Sequence, residues 1–448
     1  MTDEEFDPEA ALAAIADYPI YLAHNANVDS LTRVDSDLEA ALPAPGDTWP
    51  EILDSPQALS TALALTMERG TADMLSMAPG LDDWLGANLD PDEQRLGGQA
   101  GIMADLVAVL GGDPILYTYL LSATQRALFS RRETIRFPVV DDGDLSFVPL
   151  ADAPLVDQTK RNWIFEFARG DSFFETTAAA DTRFIAASRP DRLNLETGLE
   201  PVVDQLGSSV ECALVSGYQS LKRVYDDGST LDEQIDHGAQ FLQDLAAQDV
   251  TIQMEYAVTY KPELRQAIID RILPEVHAVG MDARELELLC EDLQHDSTVS
   301  DPEIVSQFQQ LRALRPKLGV DCIKVHTTNY FLAVMDDYLA PEHVTEGWAL
   351  SAVVAASKAA TGVIDDPADL QTGLDYECAP AGREAMADLA GHLDIDVDGP
   401  GIAADADGVS VAAYPNRVVS DPVSTVGLGD SIAVSNFLLE NALADSGS

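Results

Sequence analysis

The chain has 448 residues, 46% of them hydrophobic, and sets 77 Asp and Glu against 26 Lys and Arg for a formal net charge of −51. That length exceeds one ordinary core and predicts two domains, or one large α/β domain with a lid. The charge argues against nucleic-acid backbones and anionic membranes as partners; because the acids are interspersed with apolar periodicity, it also predicts a folded protein suited to dense counterions rather than a disordered one.

The N-terminal stretch, residues 1–20, carries acids where a secretion signal needs positive charge, and no apolar run reaches membrane-spanning length. Cys212, Cys290, Cys322 and Cys378 are widely spaced and form no CxxC pair, which fits a reduced compartment. A cytoplasmic protein, a monomer or small homo-oligomer, is expected.

In chain order, the first strand is expected at Ile20–His24, ending in the polar cluster Asn25-Ala26-Asn27-Val28-Asp29, as strands do when their C-terminal tips carry a site. Helices are expected at Pro56–Arg69 and Gln99–Leu110, the second opened by Gly97-Gly98-Gln99-Ala100-Gly101. Paired glycines permit close backbone approach to a polyhydroxyl ligand, and an amide such as Gln99 both donates to and accepts from hydroxyls. An ordinary helix start explains the same residues. Residues 134–188 switch to short alternating segments, Thr134–Val140, Asp144–Leu150, Trp163–Phe167 and Arg183–Ala187, which predict an antiparallel sheet inserted into an α/β protein. Strands at Cys212–Ser216, Thr251–Tyr256, Cys322–Thr327 and Ser410–Tyr414 then alternate with helices, the rhythm of a doubly wound sheet.

Ten of the 26 cations lie between Arg126 and Arg192, including Lys160, Arg161, Arg183 and Arg189. They fit either an anionic ligand such as a sugar phosphate or local ion pairs with their acidic neighbours. Glu255 at a strand end and Glu285 at a helix start suit a magnesium role, although in so acidic a chain any one Glu is more often a solvated surface residue. His326 reads as a strand-end histidine or as a neighbour of a nucleotide.

Near the C-terminus, Ser424-Thr425-Val426-Gly427-Leu428-Gly429-Asp430 runs into an apolar helical pattern. Gly427 and Gly429 would let backbone N–H groups converge at a helix N-terminus, where the dipole favours a phosphate, with Asp430 placed to take a proton from an incoming hydroxyl. A Gly-rich turn with an Asp cap is the alternative. No GxxxxGK[ST] occurs anywhere, so a phosphate site must be of this helix-terminus kind.

Taken in order, these motifs resemble the ADP-dependent sugar kinases, the archaeal glucokinases and phosphofructokinases of the ribokinase-like superfamily. The resemblance is carried by Asn25–Asp29, Gly97–Ala104, Arg183–Ala186, Val325–Thr327 with Tyr330–Ala333, and above all Ser424–Asp430. It implies an α/β fold, with a ribokinase-like three-layer α/β/α large domain over 51–119 and 196–448 and a smaller, mainly β lid drawn from 1–50 and 120–195. The implied activity is transfer of a phosphoryl group from ADP to a sugar or sugar phosphate, leaving AMP. Asp430 would be the base, with Gly427 and Gly429 in the anion hole. Ser424, Thr425, Val426, Leu428 and His326 would contact nucleotide, and Asn27, Asp29, Gly98, Gln99, Arg183 and Arg189 the acceptor. Glu255, Glu285 and Asp282 would organise Mg²⁺ through water.

Two positions depart from the family pattern. Its HxE motif is here Gln253-Met254-Glu255, and its NxxE motif is Asp282-Ala283-Arg284-Glu285. The lid glutamate of glucose-specific members has no clear counterpart in Gly70-Thr71-Ala72-Asp73-Met74. With the basic cluster, this favours fructose 6-phosphate over glucose, with Asp73 left as a substitute for the glutamate. A weak sugar or nucleotide sensor and an ATP-dependent kinase of the same superfamily are the competing expectations.

Overall fold

The computed structural model describes residues 6–447 other than 189–197, 226, 258, 260, 296, 297, 299–301 and 398. Eleven strands form one large sheet. Its order is Ile402–Ala406, Val409–Pro415, Tyr330–Met335, Cys322–His326, Ala278–Asp282, Thr251–Glu255, Cys212–Val215, Pro19–Ala23, Asp113–Leu116, Arg136–Asp141, Asp144–Pro149. The centre, from Cys322–His326 to Arg136–Asp141, is parallel, and the margins beyond it are antiparallel.

Successive residues of a strand face opposite sides, and the central strands serve two cores. Tyr21, Ala23, Ala213 and Val215 pack with Phe241, Leu311 and Leu389 of three helices on one face. Ile20, Leu22, Cys212 and Leu214 pack with Val107, Val353 and Phe437 of helices Gln99–Leu110, Pro341–Thr361 and Leu428–Ser446 on the other. Burial on both faces explains why these strands are continuous apolar runs. The result is the α/β/α layering expected for the large body.

A second sheet of five strands has the order Asp73–Met77, Thr182–Ser188, Arg161–Phe167, Asn27–Arg33, Glu93–Gly97. Trp163, Phe165 and Phe184 of this sheet pack against Leu59, Leu63 and Met67 of helix Pro56–Arg69. Its alternate residues form a mixed face, with Asp29 and Asn162 on one side and Arg33, Glu166 and Arg183 on the other of a row of Leu31, Ile164 and Ile185.

The layout differs from the division expected along the chain. Strands Asp73–Met77 and Glu93–Gly97, within the span 51–119, join the smaller sheet. The hairpin of Arg136–Asp141 and Asp144–Pro149, expected in the lid, extends the large sheet, where the Arg136 guanidinium holds the Asp113 carboxylate at 2.6 Å. Short alternating strands carry no local signal of which sheet edge accepts them. Among the described residues no helix is long and apolar enough to cross a membrane. No disulfide joins the four cysteines, and all four are buried.

Candidate active site

Parallel strands present their C-terminal tips along one edge, where α/β sheets bind ligands. Glu255, Asp282 and His326 end three adjacent strands there. His326 Nε2 lies 3.1 Å from Oε1 of Glu255. Asp282 caps helix Ala283–Asp292 and Glu285 closes a reciprocal capping box. The Glu285 N–H donates to Asp282 Oδ1 at 2.7 Å, and the Asp282 N–H to Glu285 Oε2 at 2.9 Å. Burial first, then the charge of Asp282, pushes the Glu285 carboxyl up to about 8. Burial opposes the imidazolium of His326, but the hydrogen bond and charge of Glu255, with Glu285 and Asp282 behind it, outweigh burial and raise its pKa.

Helix Leu428–Ser446 points its N-terminus at this edge. Gly427 is its N-cap at φ +67°, a conformation that costs glycine little and other residues more. Leu428 N–H reaches Thr425 O at 3.5 Å and Ser431 N–H reaches Gly427 O at 3.0 Å, while the N–H groups of Gly429 and Asp430 stand in the first turn, where no intrahelical carbonyl meets them. Gly429 faces His326, whose Cε1 would lie 3.2 Å from a side chain's Cβ. Burial, with the charge of Glu255 added, pushes the Asp430 carboxyl up to about 6 against the pull of Lys358 and His326, and Asp29 adds a smaller push.

The residues expected to contact the acceptor gather beside the smaller sheet. Asp29 accepts from Asn27 Nδ2 at 2.6 Å and from Asn162 Nδ2 at 3.0 Å. Both side chains press onto Gly97, where a Cβ would sit 2.3 Å from Asp29 Oδ2 and 2.4 Å from Asn27 Nδ2. Gly98, at φ +80°, brings the next turn within 2.6 Å of Asn25 O by the same measure. Gln99 opens its helix and accepts from Gln219 Nε2 at 2.9 Å. The glycine pair therefore serves close backbone approach as well as starting the helix.

Two clefts flank the Ser424–Asp430 turn. One, about 630 Å³, is lined by Asp282, His326, Asn329, Arg417, Gly429 and Ile432 among others. The second, about 720 Å³, is lined by Arg33, Ala72, Glu166 and Arg183 of the smaller body. Thr425 lines both. Arg183 and Arg33 each register against Glu166, so two guanidinium-bearing residues flank one carboxylate on the mixed face of the sheet. Arg189 lies outside the described residues.

The basic cluster does not form one patch. Arg136 pairs with Asp113, Arg161 with Asp82 and Arg132 with Glu133, and the Lys160 ammonium donates to Asn25 Oδ1. Arg183 opens onto the cleft. Three contributors were not found in the sequence. Asn162 orients Asp29. Arg95, two residues before Gly97, reaches Ser424 Oγ at 3.4 Å and so ties the smaller sheet to the turn. Lys358 donates to Gly427 O at 3.2 Å and to Ser431 Oγ at 2.9 Å; its signal was visible, a lone cation in the apolar run Ser351–Thr361. Among the described residues no group of three or more His, Cys, Asp or Glu is arranged to hold a metal ion directly.

Residues 18–439 match the family model described as the ADP-specific phosphofructokinase/glucokinase conserved region. The chain belongs to that family. It is an ADP-dependent sugar kinase, a phosphotransferase. The ADP-specific phosphofructokinase of Thermococcus litoralis is 29% identical over 93% of this chain and 95% of its own. Among solved structures, the last common ancestor of ADP-dependent phosphofructokinases from Methanosarcinales superposes with a TM-score of 0.84 at 27% identity, covering 97% of this chain and 96% of its own. An ADP-dependent kinase in complex with fructose 6-phosphate and ADPβS gives 0.82 at 26% identity, covering 98% and 96%.

Proposed function

We propose that this kinase transfers the β-phosphoryl group of ADP to a hydroxyl of fructose 6-phosphate, releasing AMP, with glucose as the second choice of acceptor. The observation that carries the reading is that the two clefts meet at one glycine turn, with Thr425 in both walls. A donor in the His326 cleft and an acceptor in the Arg183 cleft would face each other across the first turn of helix Leu428–Ser446.

In this arrangement Asp430 accepts the proton of the acceptor hydroxyl. The hydroxyl oxygen bonds to the β-phosphorus, and the bond from that phosphorus to the bridging oxygen breaks, leaving AMP. The N–H groups of Gly427 to Asp430 and the helix dipole stabilise the charge on the phosphoryl oxygens. Ser424, Thr425, Val426, Leu428 and His326 seat the nucleotide. Asn27, Asp29, Gly98 and Gln99 hydrogen-bond the sugar, and Arg183, with Arg189, takes its phosphate. Glu255, Glu285 and Asp282 would hold a magnesium ion through waters, in keeping with a buried Glu255 Oε2 that has no protein partner. When bound, the ion neutralises charge on the ADP phosphates.

The contacts of Asp73 support fructose 6-phosphate over glucose. Its carboxylate lies 3.5 Å from Arg69 Nη1 and 3.4 Å from Thr66 Oγ1, both on the neighbouring helix. It is engaged there rather than standing in for a sugar-binding glutamate, while Ala72 and two arginines face the cleft. The test is AMP or ADP release with Mg²⁺ in molar KCl, offering ADP or ATP against fructose 6-phosphate or glucose. AMP from ADP with fructose 6-phosphate supports the reading. Turnover with ATP alone would favour an ATP-dependent kinase, and ligand binding without any turnover a sensor.

A further inference from the structure

We propose that Lys358 is a positioning residue for phosphoryl transfer, a half-buried cation that fixes the anion-binding turn from behind and makes it selective for a nucleoside diphosphate over a monophosphate. The proposal rests on the reading of Ser424–Asp430 as the phosphate cradle. Lys358 sits in helix Pro341–Thr361, where Val353, Val354, Ala355, Ala356 and Ala359 are buried. An ammonium there costs desolvation energy that a methionine would avoid. Its hydrogen bonds go to neutral acceptors, Gly427 O and Ser431 Oγ, and Ser431 Oγ in turn donates to Gly427 O at 2.8 Å.

That triangle fixes the peptide plane following the N-cap glycine, and with it the direction of the first-turn N–H groups. The fit is close, since a Cβ on Gly427 would lie 3.1 Å from Nζ and 2.8 Å from Ile102 Cδ1. The charged groups facing the ammonium are Asp430 from helix Leu428–Ser446, Asp105 from helix Gln99–Leu110 and Arg95 from strand Glu93–Gly97. Burial draws the Lys358 pKa down to about 8 against the attraction of Asp430 and Asp105, with Arg95 adding to the fall. The ammonium stands behind a helix terminus that carries about half a charge of its own.

The test compares wild type with Lys358→Met, which removes donor and charge, and Lys358→Gln, which keeps a donor for Gly427 O. Dissociation constants for ADP and for AMP are measured by calorimetry in molar KCl with Mg²⁺, alongside kcat and a thermal midpoint. The expected result is at least tenfold weaker ADP binding with AMP changed less than twofold, and a kcat about 100-fold lower, the scale of losing one oxyanion donor. Equal losses for ADP and AMP, or no loss in a folded variant, would overturn the proposal. If Lys358→Met does not fold, Lys358→Gln decides by the same ratio. If wild type transfers nothing from ADP to a sugar, the functional reading fails, while the ADP-to-AMP ratio still reports on Lys358.

Discussion

His326 Nε2 and Glu255 Oε1 stand 3.1 Å apart although their strands are not neighbours, because strand Ala278–Asp282 runs between them. Gly280 makes this possible: a Cβ there would lie 2.4 Å from Glu255 Oε2. The missing side chain lets a carboxylate cross a strand to meet the imidazole of His326, which lines the cleft of about 630 Å³. Loss of the Glu255 charge should therefore act on the metal and donor side. Glu255→Gln is expected to raise the Mg²⁺ concentration for half-maximal rate at least tenfold, with KM for fructose 6-phosphate within threefold of wild type; metal titration of the initial rate checks both.

Asp430→Asn keeps shape and removes the proposed base. We expect kcat to fall by about 10³-fold, within the range general bases supply, with the dissociation constant for fructose 6-phosphate changed less than threefold. Turnover within tenfold of wild type would remove Asp430 from the role of base.

The pH profile follows from the same carboxyl. A base must be ionised, and burial with the charge of Glu255 holds the Asp430 carboxyl at about 6. If Asp430 is the base, the enzyme is expected to be inactive below that value, where the carboxyl carries the proton, and active above it. The expected acid limb of kcat/KM lies near pH 6, well above an ordinary carboxylate, and a limb near pH 4 would contradict the placement.

Arg183→Ala separates the acceptors. The guanidinium lines the cleft of the smaller body, so its loss should raise KM for fructose 6-phosphate more than tenfold while any activity with glucose keeps its KM within threefold. Equal effects on both sugars would mean that Arg183 does not meet the phosphate.

Dilution tests the charge. With a formal net charge of −51, self-repulsion is screened over about 3 Å in 1 M salt and over about 10 Å at 0.1 M. The thermal midpoint is expected to fall steeply as KCl is lowered, and an unchanged midpoint would contradict a shell that depends on counterions.

What could be read from sequence follows from how local each signal is. Helices Pro56–Arg69 and Gln99–Leu110 and the first strand stand where their periodicity and punctuation put them, because capping residues and apolar spacing act within a few residues. The glycine turn was legible for the same reason. Sheet membership was not: the hairpin at 136–149 and the strands at 73–77 and 93–97 are sorted between two sheets by long-range register. Asn162 and Arg95 were missed because each acts on a residue more than 60 positions away, a relationship no local pattern carries; Lys358 stood out locally as a lone cation, but its partner, equally distant, did not. The clustered cations showed the converse: among the described residues, Arg132, Arg136 and Arg161 go to separate ion pairs rather than to one patch.

The most direct test of the account follows the phosphoryl group itself. ADP labelled in its β-phosphate is incubated with fructose 6-phosphate, Mg²⁺ and the protein in molar KCl, and the products are separated. The account predicts label in fructose bisphosphate and an equal amount of unlabelled AMP. Label retained in ADP, or released as inorganic phosphate with the sugar unchanged, would contradict it.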